Sequence, residues 1–119
     1  MARLSIEAGT EVRFRQFARL DSLGSLEIKG FSTNPVYLTS LDDRPGEYAG
    51  QWGGLWLTEY STATIDYAVI EGAKDGITIF HDGSDTVISN SLLQNNGVGI
   101  LMYADNEYPQ AVRPLIKGN

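Results

Sequence analysis

The stretch "GITIF" (76–80) decides how this chain is read, because "GLWLT" (54–58) precedes it and "GILMY" (99–103) follows it in the same form. Each opens on a glycine and continues with apolar residues at every second position. The spacings are 22 and 23 residues. Alternation of period two is the mark of a half-buried strand, and recurrence at a fixed step is the mark of stacked repeats.

Working outward, the same pairing occurs at Leu26 and Ile28 in "GSLEIKG" and at Leu4 and Ile6 near the start. With Leu55/Leu57, Ile77/Ile79 and Ile100/Met102 they make five apolar pairs, read as one ladder with steps of 22, 29, 22 and 23 residues. A second ladder is read through Val12/Phe14, Val36/Leu38, Ile65, Val87 and Ile116. The long steps contain "SLDDRPGEYAGQW" and "ADNEYPQAVRP", whose Asp, Pro and Gly content is loop chemistry. Insertions near 41–52 and 104–114, at one corner of a coil, are therefore expected.

No stretch shows apolar residues at i, i+3, i+4 and i+7, and 13 glycines are spread along the chain. Glycine inside a helix costs about 1 kcal/mol relative to alanine. An antiparallel sandwich would not demand the same phase every 22 residues. The pattern predicts one domain over 1–119: a right-handed parallel β-helix of four to five coils, its strands stacked about 4.8 Å apart. Each glycine is expected where the chain turns into a strand, a place where positive φ is often needed.

Composition narrows the partners. A net charge of -6 and a pI near 4.6 disfavour nucleic acid, which calls for a basic stripe, and an anionic membrane surface. There is no cysteine, so disulfides and thiolate metal sites are excluded. No run approaches the ~18 apolar residues of a membrane span, and "MARLSIEAGT" lacks the apolar centre of a signal peptide.

"IEAGTEVRF", "GSLEIKG", "PVYLTS" and "QWGGLWL", with the coils "TIDYAVIEGAKDGITI" and "TVISNSLLQNNGVGILMY", resemble the bacterial right-handed parallel β-helix repeat family, which includes the pectate-lyase-like folds. The resemblance covers nearly the whole chain. It implies a secreted or cell-surface setting and a fold that hosts lyases, hydrolases, epimerases, adhesins and scaffolds. It also implies an asparagine ladder at the turns, with Asn90 and Asn119 in matching places and Ala68 one coil earlier. Neither end carries an amphipathic capping helix, so a piece of a larger protein, or association end to end or through a sheet face, is expected.

Catalytic signatures of that family are missing. There is no Gly-His-Gly with Arg-x-Lys; Arg113 and Lys117 in "RPLIK" stand four apart. There is no Tyr-Gly-x-Asp-Pro-His run, and no strand bears a basic residue beside an acidic cluster. The least poor acidic candidates are Asp42, Asp43 and Glu47 in "LDDRPGE", which could supply part of the six to eight oxygens of a Ca2+ site. Their plain reading is a solvated acidic insertion loop, and their spacing matches no EF-hand pattern. His81, Asp82 and Asp85 offer an acid/base pair, but "HDGSD" is also plain turn chemistry.

Aromatic residues give the sharper expectation. With Leu55 and Leu57 inward, Trp56 points outward, as do Thr58, Phe80 and Tyr103 in successive coils. Trp52, Tyr48 and Tyr60 are expected to flank them. Exposed aromatic rows stack sugar faces and mark interaction sites. The predicted ligand-binding set is thus Trp56, Phe80, Tyr103 and Trp52, with a polysaccharide as partner. Two other readings are open: an insertion folded over the strip, and a carbohydrate-active lyase or hydrolase. Arg13 and Arg15 are expected to face solvent.

Overall fold

In a computed structural model of the chain, residues 3–41, 51–59, 61–80 and 86–103 are described in full, and 115–117 by their backbone. All thirteen described elements are strands, and every strand pairing is parallel. The first coil is β1 (Arg3–Glu7), β2 (Glu11–Phe14) and β3 (Arg19–Ser22). The second is β4 (Ser25–Lys29), β5 (Val36–Ser40) and β6 (Gly54–Leu57). The third is β7 (Thr62–Asp66), β8 (Ala68–Glu71) and β9 (Asp75–Ile79). The fourth is β10 (Thr86–Ser89), β11 (Leu92–Gln94) and β12 (Val98–Met102), and β13 (Leu115–Lys117) begins a fifth.

Every third strand stacks on the one before. Sheet one runs β1-β4-β7-β10-β13, sheet two β2-β5-β8-β11, and sheet three β3-β6-β9-β12. The fold is a three-sided parallel β-helix, as the repeat predicts. Its interior is a column of Leu, Ile and Val. Leu26, Ile28, Leu38, Leu55, Leu57, Ile65, Ile70, Ile77, Ile79 and Ile88 are all essentially inaccessible to solvent. Fully burying such a side chain contributes about 1.5–3 kcal/mol, so the inward rows dominate the stability.

Register corrects both sequence ladders. Leu26 stands beside Ala63 in sheet one, whereas Leu55 stands between Leu20 and Ile77 in sheet three. Val12 faces Leu38 rather than Val36, and Ile65 faces Ile88 rather than continuing from sheet two. Val87 pairs with Thr64 on the outer face. The cause is geometric. Three alternating strands per turn share one period, so a phase match cannot say which side of the coil a strand occupies.

The insertions also fall at different corners: 41–53 joins sheet two to sheet three, and 103–114 joins sheet three to sheet one. Stacked coils repeat their backbone turns. Tyr67 and Asn90, each just after the paired Asp66 and Ser89, both take positive φ of 50° and 52°. The partner of Asn90 one coil earlier is thus Tyr67, not Ala68; Asn119 lies outside the described residues. Asn90 Nδ2 donates to Asp66 Oδ1 at 3.0 Å, which ties neighbouring coils at this corner. Gly72 and Asn95 form the equivalent pair where sheet two turns towards sheet three, with φ of 74° and 56°.

The motif glycines are aligned, but not for one reason. Gly54 has φ +96°, and a Cβ there would lie 1.7 Å from the Asp75 carbonyl oxygen. Gly76 does not take positive φ; its hydrogen is needed because a Cβ would meet the Gly99 carbonyl oxygen at 2.7 Å. Gly99 also lacks positive φ, and a Cβ there would meet nothing within 4 Å. The turn explanation therefore holds for Gly54 alone.

Candidate ligand-binding surface

Sheet three carries the aromatic residues on its outer face. Leu55 and Leu57 point inward, so the pleat turns Trp56 outward in register with Asp21 before it and Thr78 after it. Phe80 and Tyr103 follow β9 and β12, and each amide donates to the preceding coil, to Leu57 O at 3.0 Å and Ile79 O at 2.9 Å. The rings consequently stack along the axis. Phe80 and Tyr103 have centroids 5.3 Å apart with planes 9° from parallel. Trp56 and Phe80 are 4.9 Å apart and tilted by 49°. Both distances lie within the 4.5–7 Å range of attractive aromatic pairs.

The ladder is graded in exposure. Trp56 and Phe80 are half-buried, and Tyr103 is 53% exposed. At the other end the Arg19 guanidinium carbon lies 3.8 Å from the Trp56 ring centroid, a cation–π contact. Arg19 Nε also donates to Asp21 Oδ1 at 2.8 Å, and Trp56 Nε1 donates to Gly53 O at 3.2 Å. These contacts fix the indole in one orientation. Below the ladder, Thr78 is only 1% exposed and its Oγ1 has no hydrogen-bond partner. An orphaned hydroxyl in such a place costs about 1–3 kcal/mol.

Three of the four residues expected to form the strip are thus brought together: Trp56, Phe80 and Tyr103. Trp52 is not among them. It is fully buried, stacked on Phe14 at 4.1 Å with planes 6° apart, and its Nε1 donates to Glu71 O at 2.8 Å. The reason is that Trp52 precedes the strand, at the corner beside Ala73, where the backbone directs the side chain into the interior. A ring without solvent contact cannot take a ligand.

Sequence reasoning missed Arg19 and Asp21 as members of this face. The signal was present in "ARLDS", where Leu20 alternates with two charged neighbours, but the merged ladder left no place for a sheet-three strand in the first coil. Arg13 and Arg15 are exposed, as expected. Asp42, Asp43 and Glu47 lie outside the described residues, as do His81, Asp82, Asp85, Tyr48 and Tyr60. Among the described residues no group of three or more His, Asp or Glu side chains could hold a metal ion. Three acids take part in ion pairs: Glu27 with Arg3 and Lys29, Glu11 with Arg13, and Asp21 with Arg19.

No protein-family model, curated protein or solved structure matches the chain.

Proposed function

We propose that this protein is a non-catalytic recognition scaffold, in which the β-helix holds the Trp56–Phe80–Tyr103 ladder rigid as a platform for an oligosaccharide. The observation that carries this reading is the near-parallel pair of Phe80 and Tyr103 rings, the second more than half exposed. Aromatic faces spaced along one axis suit the apolar C–H faces of successive sugar units, and preorganised rings lose little entropy on binding. With a net charge of -6, a neutral glycan is favoured over a polyanion. Membership of the pectate-lyase-like group, with a secreted or surface setting, belongs to the same proposal.

Tryptophan fluorescence during titration with neutral oligosaccharides tests it, with product analysis on the same samples. A saturable change that disappears in Trp56→Phe, while the buried Trp52 emission persists, is the expected result. New reducing or unsaturated sugar ends would overturn the non-catalytic reading and direct attention to Asp42, Asp43 and Glu47. No response to any neutral or acidic sugar would remove the glycan platform.

A further inference from the structure

In the fourth coil the turn from sheet two to sheet three is made by Asn95-Asn96-Gly97, and Asn-Gly occurs nowhere else in the chain. The corner has a use for both residues. Asn96 stands where Ala73 stands one coil earlier, by the register that sets Val98 on Asp75. Its side-chain amide is engaged by that coil: Oδ1 accepts from Ala73 N at 2.9 Å, and Nδ2 donates to Ile70 O at 3.0 Å. Glycine follows because a Cβ at position 97 would stand 2.6 Å from Lys74 O. Stacking then continues through the backbone, with Gly97 N donating to Ala73 O at 3.0 Å and Val98 N to Lys74 O at 2.8 Å.

The same pair is chemically labile, since asparagine is among the thermolabile residues and a following glycine has no side chain to hinder attack. The glycine amide nitrogen gives its proton to solvent base and bonds to the asparagine Cγ, and Nδ2 leaves as ammonia. Water then opens the cyclic imide at either carbonyl. One opening gives aspartate; the other gives isoaspartate, in which the main chain runs through the side chain. In the closed corner this attack is blocked. The nucleophile would be Gly97 N, whose hydrogen is held by Ala73 O, and the group attacked is the pinned Asn96 amide. Bringing the two together means breaking three hydrogen bonds to the third coil.

We infer that Asn96 is a latent deamidation site: inert while this corner is closed, it reacts when the corner opens, and its product prevents reclosure. The last step follows from donor and acceptor chemistry. An ionised aspartate has no donor to replace Nδ2, so a carboxylate oxygen would face Ile70 O, where a donor now sits 3.0 Å away. Isoaspartate adds a backbone atom just before β12, which breaks the pairing of Val98 with Asp75 and Ile100 with Ile77. A transient opening of the corner is thereby recorded as a lasting covalent change. The argument uses only contacts between the third and fourth coils.

Peptide mass spectrometry during incubation in mildly alkaline buffer, with amide hydrogen exchange on the same protein, tests the inference. Chain denatured in guanidinium chloride should deamidate at Asn96 to a mixture of aspartate and isoaspartate. The folded chain should react at least about tenfold more slowly, because only its open fraction is reactive. Gly97 N–H is both the exchanging group and the future nucleophile. The slowing of deamidation should therefore be no smaller than the exchange protection of Gly97. Asn96→Asp should speed exchange at Gly97 and Ala73 at least about tenfold and leave β1–β3 unchanged. Equal deamidation rates in folded and denatured chain would overturn the inference, as would no deamidation in either. So would a slowing smaller than the Gly97 protection, or Gly97 exchange unaltered by Asn96→Asp. The rate comparison uses the unaltered chain, so it decides the matter even if Asn96→Asp folds poorly.

Discussion

Alanine at Gly54, Gly76 and Gly99, three glycines in one column of the same repeat, should give three different stabilities. At Gly54 two costs combine. The residue sits at φ +96°, a region alanine occupies only under strain, and its new Cβ would be 1.7 Å from the Asp75 carbonyl oxygen. Backbone strain of this kind costs of order 1–3 kcal/mol. The clash is with main chain at the start of β9, so relieving it means parting two stacked strands. A total loss of about 3–5 kcal/mol is expected, a large part of a typical domain's stability. At Gly76 the conformation suits alanine, but the Cβ would stand 2.7 Å from Gly99 O and 3.0 Å from Asn96 Nδ2. Overpacking against a carbonyl held in a ladder should cost about 1–3 kcal/mol. At Gly99 nothing lies within 4 Å, and alanine should stabilise by roughly 0.4–1 kcal/mol through the less flexible unfolded chain. Urea denaturation followed by circular dichroism, at micromolar protein so that association does not enter, gives all three values from the midpoints at constant m. If Gly54→Ala fell within about 0.5 kcal/mol of the parent, or if Gly99→Ala cost as much as Gly54→Ala, the account of the column would be wrong.

Other outcomes follow from single contacts. Thr86 is 1% exposed, pairs in register with Ala63 and leaves its Oγ1 without a partner; Thr86→Val should raise stability by about 1 kcal/mol in the same denaturation assay. Asn90→Ala loses both a residue tolerant of φ 52° and the bond to Asp66, and should cost about 1–2 kcal/mol, while Asn90→Gly, which keeps the conformation, should cost less. Asp21→Asn removes the exposed partner of Arg19; thermal denaturation should register less than about 1 kcal/mol.

Much of the architecture was legible because burial writes itself into a chain at period two. Leu55/Leu57, Ile77/Ile79 and Ile100/Met102 were grouped correctly, since the steps between them hold no insertion large enough to disturb the count. The grouping broke at Leu26, where the 29-residue step to Leu55 passes from one sheet to another; a residue's phase reports inside or outside, not which of three sides. Outward placement of Trp56, Phe80 and Tyr103 followed from the same alternation. Trp52 was misplaced because alternation ends at the strand boundary, and beyond it the direction of a side chain is set by corner geometry that no pattern of polarity encodes. Arg19 over Trp56 was invisible for a third reason: a contact between residues 37 apart depends on knowing which strands stack.

Trp52 has one more consequence. In a solenoid each layer ordinarily touches only its neighbours, so unfolding spreads by independent steps from the ends. Trp52 belongs to the second coil, yet its ring rests on Phe14 of the first and its Nε1–H is held by Glu71 of the third. One side chain thereby couples three layers, and the first cannot fray without disturbing the other two. Loosening this corner should therefore reach β2 and β8 together, on both sides of the coil that carries it.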